Sequence, residues 1–237
     1  MPSFVFAHTG EVHLARNPTT LPGESRYQGE KIGEWLDVNL FTLSTKKKQK
    51  KKLSLAEERV VEIAALFERQ ELKSEDLEEG LKRYKYFLTE AGYMAEKIIV
   101  LDGSEIALAE EFERNTRTYE EVFSQLLRVA SGEVQTPILE ALIISRSQNQ
   151  SIFEFMVRNY QATDADIKKH QEILGEHIEL AGSLIDKSDL INYDRVNAKF
   201  WLNEARKFQN AGLNVEAYHR VNKAKNLVYS KLLMTNN

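Results

Sequence analysis

The stretch from Leu53 to Ile99, LSLAEERVVEIAALFERQELKSEDLEEGLKRYKYFLTEAGYMAEKII, decides the fold class of this chain. Its apolar residues recur at alternating steps of three and four, which places them on one face of a helix that packs on another helix. Ser74 lies between two such rows, where it can cap the second helix. The stretch therefore predicts an antiparallel helical hairpin. The two rows are Leu53, Ala56, Val60, Ile63 and Phe67, and then Leu77, Leu81, Tyr84, Leu88, Ala91, Ala95 and Ile98.

The remainder of the 237-residue chain repeats this pattern. A third row of the same spacing runs from Leu108 to Val129, and Thr136-Pro137 restarts a helix with proline at its first position. Only four prolines and eleven glycines interrupt the chain, which suits long helices joined by short turns. We therefore predict an all-α fold, an elongated array or bundle of about eight antiparallel helices arranged as helical hairpins.

Turn signals divide the chain into three segments. Residues 1–25 are predicted to be an extended arm, residues 26–102 a helical hairpin domain, and residues 103–237 a second helical region that packs on the first or continues it. The first helix is expected from about Tyr27 to Asn39, and a break is expected at Asp102-Gly103-Ser104. The fourth helix is expected to end at Gly132, and the fifth to run from Thr136 to Tyr160. The sixth is expected to run from the ATDAD segment to Lys187, the seventh to end at Gly212, and the eighth to run from Val215 to Leu233.

Composition and motifs exclude several classes of function. The chain has no cysteine, which excludes thiol catalysis, disulfides and cysteine-ligated zinc. No apolar run approaches the roughly 20 residues that span a bilayer, so no transmembrane segment is predicted. The net charge of −4 provides no global positive field for a polyanion. Because no phosphate loop, nucleophile elbow or metal-site motif occurs, and Glu110, Glu111 and Glu113 are expected on solvated faces, we predict no catalytic residue, no cofactor and no enzymatic activity.

Six lysines surround one glutamine in TKKKQKKKLSL, from Thr45 to Leu55. Ser54 to Glu57 would form a capping box if the helix began there, which would leave the lysines in a loop. If Ser44 or Thr45 is the cap instead, the lysines lie in the first helical turns, where the helix dipole disfavours each cation by roughly 0.3 to 1 kcal/mol. Local electrostatics alone favours a start at Ser54.

The segment from Leu21 to Ala95 resembles an uncharacterised prokaryotic family, catalogued only as a domain of unknown function, of secreted or surface-anchored helical hairpins. In that family a Leu-Pro element precedes a short helix with a tyrosine, a Phe-Thr segment, lysines in the first turns of a long helix, and an Ala-Glu-Glu-Arg core. The resemblance implies a helical hairpin, export from the cytoplasm and no catalytic residue. The matching residues are Leu21-Pro22, Tyr27, Phe41-Thr42, Lys46 to Lys48 and Ala56-Glu57-Glu58-Arg59.

On the strength of this resemblance we expect the long helix to start near Thr45, with the lysines wrapped around its first two turns. Their aliphatic stems would lie along Ile98 and Ile99 of the partner helix, while the ammonium groups stay in water. Contact with an anionic surface, either lipid headgroups or cell-wall polymers, is the functional alternative. Nucleic acid is not expected, because the run contains no aromatic side chain for stacking. The lysines concerned are Lys46, Lys47, Lys48, Lys50, Lys51 and Lys52.

The first residues, MPSFVFAHTGE, resemble the end of a signal peptide. Val5 and Ala7 are small residues at the −3 and −1 positions of a cleavage site that follows apolar residues. This pattern predicts a protein that acts outside the cytoplasm. A flexible N-terminal arm is the alternative.

Two sets of polar residues lie on otherwise apolar helical rows. His170 and His177 are two turns apart, about 10 Å, so a metal would need further ligands, and packed or interfacial histidines are favoured. Asn115, Arg146 and Asn149 fall at similar heights if the fourth and fifth helices form a hairpin. That arrangement predicts a polar layer, which either fixes the register of the helices or lines a cleft.

These observations predict a non-enzymatic, extracytoplasmic helical module with an interaction or structural role. Its partner would be another protein or a component of the cell envelope. One alternative is an extracytoplasmic protein that binds a metal or a small ligand through His170, His177 and nearby carboxylates. A second alternative is a cytoplasmic adaptor that binds a polyanion through Lys46 to Lys52.

Overall fold

The computed structural model describes residues 20–38, 42, 44–69, 74–101, 106–160 and 163–235. Across these ranges it contains eight α-helices and no β-strand, which confirms the predicted all-α class. A short 3₁₀-helix, Gly132–Val134, joins the fourth helix to the fifth. The helices are α1 (Tyr27–Leu36), α2 (Thr45–Arg69), α3 (Ser74–Leu101), α4 (Ile106–Val129), α5 (Gln135–Asn159), α6 (Asp164–Asp186), α7 (Asn192–Asn210) and α8 (Asn214–Thr235).

Several of the expectations concern residues outside the described ranges. They are the cleavage-site positions Val5 and Ala7, most of the arm, Phe41 of the family motif, and the break at Asp102-Gly103-Ser104. Within the described ranges, no helix combines the length and the apolar character that crossing a bilayer requires.

The lysine run lies inside α2. The first hydrogen bond of this helix joins the Lys48 amide to the Ser44 carbonyl at 2.9 Å, so the helix starts at Thr45 and contains Ser54. The start near Thr45 is therefore confirmed, and the capping box at Ser54 is wrong. The first turn contains no acidic residue that would offset the charge of the lysines. Packing of the later turns must therefore outweigh the unfavourable interaction between the lysines and the helix dipole.

α2 and α3 form the antiparallel hairpin that the sequence predicts. Lys52, near the start of α2, pairs with Glu90 of α3, whereas Ile63, further along α2, lies beside Gly80, nearer the start of α3. The apolar rows lie in the interface between the two helices, and each buried aliphatic side chain contributes about 1.5 to 3 kcal/mol. The buried members include Leu53, Ala56, Val60 and Ile63 of α2, and Leu77, Leu81, Tyr84 and Leu88 of α3.

Tyr84 joins α3 to α4 and α5 in the core. The edge of its ring meets Tyr119 and Phe123 of α4, with ring centroids 5.9 Å and 5.0 Å apart. Its hydroxyl lies 2.6 Å from the hydroxyl of Ser145 on α5. Such aromatic pairs contribute about 0.5 to 1.5 kcal/mol beyond the burial of their area. Burial raises the pKa of Tyr84, so the phenol stays protonated and its hydrogen bond to Ser145 is maintained.

The helices group into two compact units, Met1–Ile152 and Phe153–Asn237. The division falls within α5, at a point where the helical pattern of the sequence has no turn signal. In the second unit α8 packs against α6 and α7. Small side chains on α7 and α8 allow these two helices to approach closely, and they include Ala198, Ala205, Ala217 and Ala224.

Two helix ends in the second unit follow sequence signals. Thr163 caps α6, because its side chain accepts a hydrogen bond from the Asp166 amide while the Asp166 side chain accepts one from the Thr163 amide. α7 ends at Asn210, and Gly212, which follows the C-cap residue, has a φ of +75°. The Leu213 amide donates to the Phe208 carbonyl and the Gly212 amide to the Gln209 carbonyl, each at 2.9 Å, which is the Schellman arrangement.

Gly212→Ala is expected to lower the free energy of unfolding by about 1 kcal/mol, because an L side chain disfavours a positive φ. Gly175→Ala, inside α6, is the matched variant. Its added methyl group would lie 3.6 Å from Gln209 Nε2, an ordinary contact, so helix propensity should raise stability by about 0.5 to 1 kcal/mol. Urea denaturation measures both changes, and equal stabilities would contradict the left-handed cap at Gly212.

Candidate functional site

Five polar side chains meet where α1 contacts α2 and α3. Tyr27 and Glu34 come from α1, Arg59 and Glu62 from α2, and Arg83 from α3. We call this group the Arg59 cluster. The Arg59 side chain has 0% exposure and Glu62 only 2%. Because an unpaired buried charge is strongly destabilising, the charges of this group must be matched inside the protein.

The sequence analysis missed this group. The available signal was helical spacing, since Arg59 lies three residues after Ala56 and four before Ile63, both of which are buried. That spacing places Arg59 on the core side of α2. Its partners Tyr27 and Glu34 lie 32 and 25 residues away in the chain. Helical spacing relates only residues within one helix, so it does not predict which residues of separate helices pair.

Hydrogen bonds link every member of the Arg59 cluster. Arg59 Nη1 donates to the Tyr27 hydroxyl at 2.9 Å, and Arg59 Nη2 lies 2.9 Å from Glu34 Oε1 and 2.7 Å from Glu62 Oε1. The Tyr27 hydroxyl lies 3.4 Å from Glu62 Oε2, to which it donates. Arg83 Nη2 donates to the second oxygen of Glu34. Glu34 therefore joins a guanidinium of α2 to a guanidinium of α3 and holds α1 against the hairpin.

Burial changes the acidity of two members. Burial raises the pKa of Glu62 to about 8 against the opposing effect of Arg59, with a further increase from Glu30 and Glu34. Burial likewise raises the pKa of Tyr27 to about 12. A carboxyl group with such a pKa could act as an acid or a base, but Glu62 is sealed in the core. Its chemistry serves the attachment of α1.

Three carboxylates beside the cluster have the spacing of a metal site. One oxygen each of Glu30, Glu34 and Glu58 lies within 4.8 Å of the others, the only such group of possible ligands in the described ranges. Arg59 Nη2, however, lies 2.9 Å from Glu34 and 3.7 Å from Glu58. A guanidinium already provides the positive charge at this place, so we assign these carboxylates to the surroundings of Arg59 and not to a metal.

A cleft of about 190 Å³ opens between α1 and α3, next to the Arg59 cluster. We call it the α1–α3 cleft. Its apolar walls are Trp35, Val38, Tyr86 and Phe87, and its charged lining comprises Lys31, Glu34, Lys52 and Arg83. An engineered apolar cavity of about 150 Å³ accommodates a benzene molecule. The α1–α3 cleft therefore has room for one aromatic ring.

The cations of the α1–α3 cleft already have carboxylate partners. Lys31 Nζ lies 2.9 Å from Glu79, Lys52 Nζ lies 2.9 Å from Glu90, and Arg83 pairs with Glu34. Lys52 also lies 5.1 Å from the centre of the Tyr86 ring, and Arg83 lies 5.5 Å from that of Phe87. Arg83 Nη1 is buried and has no hydrogen-bond partner within the described part of the chain.

The lysines of the run point to three different helices. Lys50 pairs with Glu111 of α4 at 3.4 Å, Lys51 with Asp37 just after α1 at 2.8 Å, and Lys52 with Glu90 of α3. The expectation that all the ammonium groups stay in water is wrong for Lys52, which is 5% exposed, because its neighbours on α1 and α3 enclose it. The ion pairs of Lys50, Lys51 and Lys52 weaken the attraction of the run for a polyanion. Lys46 and Lys47 are exposed and Lys48 is half-buried.

From Lys82 onward, the outward side of α3 carries an exposed row without a carboxylate. The side chains recur at steps of three or four, and the row extends about 27 Å along the helix. Tyr86, Tyr93 and Val100 are 55%, 63% and 72% exposed, and they follow one another at seven-residue intervals. We call this row the outer α3 face. It consists of Lys82, Tyr86, Thr89, Tyr93, Lys97 and Val100.

The two histidines of α6 are core residues of the second unit. The His177 ring meets Phe153 and Tyr218, with centroids 6.2 Å and 4.9 Å apart, and its Nδ1 lies 3.5 Å from the buried Nζ of Lys225. His170 is also buried, and this burial lowers its pKa although Asp166 opposes the shift. Within the described residues, neither histidine belongs to a group that could hold a metal. The geometry agrees with the packed alternative.

A polar layer joins α4 and α5, with a composition that differs from the expected one. Asn149 Nδ2 donates to the Glu113 carbonyl at 2.8 Å and to the Thr116 hydroxyl at 2.9 Å. Arg146 Nε lies 3.3 Å from Glu120. Asn115 is partly exposed at the neighbouring position, and the layer uses Glu113, Thr116 and Glu120 of α4. The prediction that Glu113 lies on a solvated face is wrong. Glu113 is buried, and the amide of Asn149 and the guanidinium of Arg117 are its partners there.

Arg59→Ala is expected to lower the free energy of unfolding by about 3 to 5 kcal/mol, because it takes the cation away from the buried carboxylate of Glu34 and removes the donor that binds Glu62. Lys82→Ala, which removes an exposed cation from α3, is the matched control and should change stability by less than about 0.5 kcal/mol. Urea denaturation of the two variants checks the difference. A loss below 1 kcal/mol for Arg59→Ala would show that the cluster does not hold α1 in place.

The raised pKa of Glu62 predicts a pH dependence of stability. Between about pH 4.5 and 8 the folded state keeps a proton on Glu62 that the unfolded state, in which Glu62 has the ordinary pKa of 4.5, has released. Stability is therefore lost as the pH rises from 4.5 to 8, and this loss is complete once the pH exceeds 8. Between pH 6.5 and 8.5 the unmodified protein should lose about 2 kcal/mol more than Glu62→Gln, which cannot release a proton. Denaturation curves at both pH values check this, and parallel changes in the two proteins would contradict it.

Comparison with protein-family models, with curated proteins and with solved structures gave no match to this chain.

Proposed function

We propose that this protein is a non-enzymatic helical interaction module that acts outside the cytoplasm and binds a partner protein through the outer α3 face. The observation that supports this proposal is the composition of the face. Tyr86, Tyr93 and Val100 are more than half exposed and share the row with Lys82 and Lys97. Half of the row is aromatic or aliphatic, which is more than the solvated side of a helix usually carries.

Single exposed apolar residues are common and need no explanation. The outer α3 face differs because its apolar residues lie on one line, two helical turns apart. A helix laid along α3 could contact Tyr86, Tyr93 and Val100 at once, in the manner of a helical seam. The lysines in the same row favour a partner surface that combines apolar and acidic side chains.

Three groups with the chemistry that catalysis uses serve the packing of the core instead. Glu62 is bound to Arg59, His177 packs between Phe153 and Tyr218, and Glu113 contacts Asn149. These contacts support an interaction role in preference to an enzymatic one.

The proposed location rests on the family resemblance of the segment from Leu21 to Ala95. The polyanion-binding alternative has less support, because Lys50, Lys51 and Lys52 are each paired with a carboxylate.

Photo-crosslinking in the source cells tests the outer α3 face. A photoreactive phenylalanine analogue at Tyr86 or at Tyr93 is expected to form an adduct with the same partner protein. The analogue at Lys168, which is exposed on α6, is the control and should form none. Replacing both Lys82 and Lys97 with Glu should abolish the adduct from Tyr93, because an acidic partner would then be repelled.

Equal adducts from Tyr93 and Lys168 would contradict a specific surface on α3. An adduct that survives the double lysine replacement would contradict an acidic partner. Separation of the same cells into cytoplasmic and extracytoplasmic fractions tests the location, and an adduct confined to the cytoplasm would overturn that part of the proposal.

A further inference from the structure

We infer that the α1–α3 cleft is an anchor pocket that receives one aromatic side chain from an acidic peptide segment of the partner protein. The inference deepens the proposed function and rests on it. It assigns the cleft a ligand of stated chemistry, an aromatic ring flanked by carboxylates, and it fixes where along α3 that ligand is held.

The size and the walls of the cleft suit a ring. Its volume of about 190 Å³ accommodates one aromatic side chain but not a folded element. Trp35, Tyr86 and Phe87 line it from α1 and α3, so a bound ring would meet aromatic edges and faces on two sides. Val38, which is buried, provides an aliphatic wall.

The cations of the cleft suit an anionic neighbour for that ring, provided that it replaces a carboxylate already present. The lining contains three cations, Lys31, Lys52 and Arg83, and one carboxylate, Glu34, while Glu79 and Glu90 at the rim pair with Lys31 and Lys52. A carboxylate oxygen next to the ring can form a charge-assisted hydrogen bond with Lys31 or Lys52 in place of the carboxylate that each now binds.

The existing ion pairs at the rim can be exchanged. The side chains of Glu79 and Glu90, the partners of Lys31 and Lys52, are 39% and 40% exposed. Ion pairs with so exposed a carboxylate are weak, so a ligand carboxylate that also buries a ring can displace Glu79 or Glu90. The displaced carboxylate returns to water at little cost.

The cleft and the outer α3 face are continuous. Tyr86 lines the cleft and also belongs to the row that continues through Tyr93 to Val100. A segment whose ring occupies the cleft can therefore extend along α3 towards Lys97. This continuity favours a segment of a protein over an isolated small molecule.

An anionic lipid surface fits the cleft less well. Glu34 lies in its lining, and Glu79 and Glu90 lie at its rim, where they would repel lipid phosphates. A peptide can place its carboxylates between these groups, whereas a layer of headgroups cannot avoid them.

The fluorescence of Trp35 provides a direct test. The chain contains two tryptophans, and Trp201→Phe leaves Trp35 as the only one. The full-length Trp201→Phe protein is titrated with a capped pentapeptide that has one Phe between two pairs of Glu. We expect a saturable change in the Trp35 emission. Replacing the Phe of the peptide with Ala, or its four Glu with Lys, should weaken binding at least tenfold.

Two variants made in the Trp201→Phe background locate the ring. Val38→Phe fills the cleft and Tyr86→Ala removes an exposed wall, so each should weaken binding of the pentapeptide at least tenfold. Tyr93→Ala, on the same face but outside the cleft, is the matched control and should change the affinity by less than twofold. Urea denaturation confirms that the variants are folded, and Tyr86→Ala keeps the test valid if Val38→Phe unfolds the protein.

Four outcomes would overturn the anchor pocket. They are no binding of the pentapeptide, equal binding of its Ala version, binding of phenylacetate as tight as that of the pentapeptide, and a Trp35 response to phosphatidylglycerol vesicles that exceeds the response to the peptide. If the adduct from Tyr93 forms while the cleft binds no peptide, the inference fails and the proposed function stands. If both are absent, the proposed function fails as well.

Discussion

The burial of one guanidinium, that of Arg59, constrains the first unit more than any other single interaction. A charge with 0% exposure is tolerated only if an anion accompanies it into the core, and Glu34 does so at 2.9 Å, while Glu62 accepts a further hydrogen bond at 2.7 Å. Because Glu34 belongs to α1, detachment of this helix from the hairpin would separate Arg59 from that carboxylate. α1 has ten residues, fewer than the roughly 12 to 15 at which an isolated helix becomes marginally stable, so its tertiary contacts stabilise it.

The same interaction shapes the surface that we propose to be functional. Glu34 binds Arg59 with one oxygen and Arg83 with the other, and both Glu34 and Arg83 line the α1–α3 cleft. The Arg59 cluster thus fixes one wall of the cleft relative to the other. A pocket whose walls are held by a buried ion-pair network requires little reorganisation when a ligand enters, which favours specific binding.

Buried polar groups recur in both units with the same physical role. Asn149 is bound to Glu113 and Thr116 in the first unit, and His177 lies beside Lys225 in the second. Amphipathic helices can slide past one another by one turn with little change in apolar contact. A polar group that finds its partner in only one register prevents such sliding, because every other register leaves it buried and unpaired. The lysine run has a related effect at the surface, where Lys50, Lys51 and Lys52 connect α2 to its three neighbours.

The sequence by itself determined the all-α class, the hairpin of α2 and α3, and most helix ends, including the cap at Thr163 and the stop at Gly212. These features depend on residues a few positions apart, and helical spacing or a turn dipeptide reports them directly. It also indicated a polar layer on α5 through Asn149. Only the tertiary structure decided which side chains meet. It placed Arg59 and Glu113 in the core, enclosed Lys52, and formed the α1–α3 cleft, because each of these depends on residues from separate helices whose pairing no local pattern records.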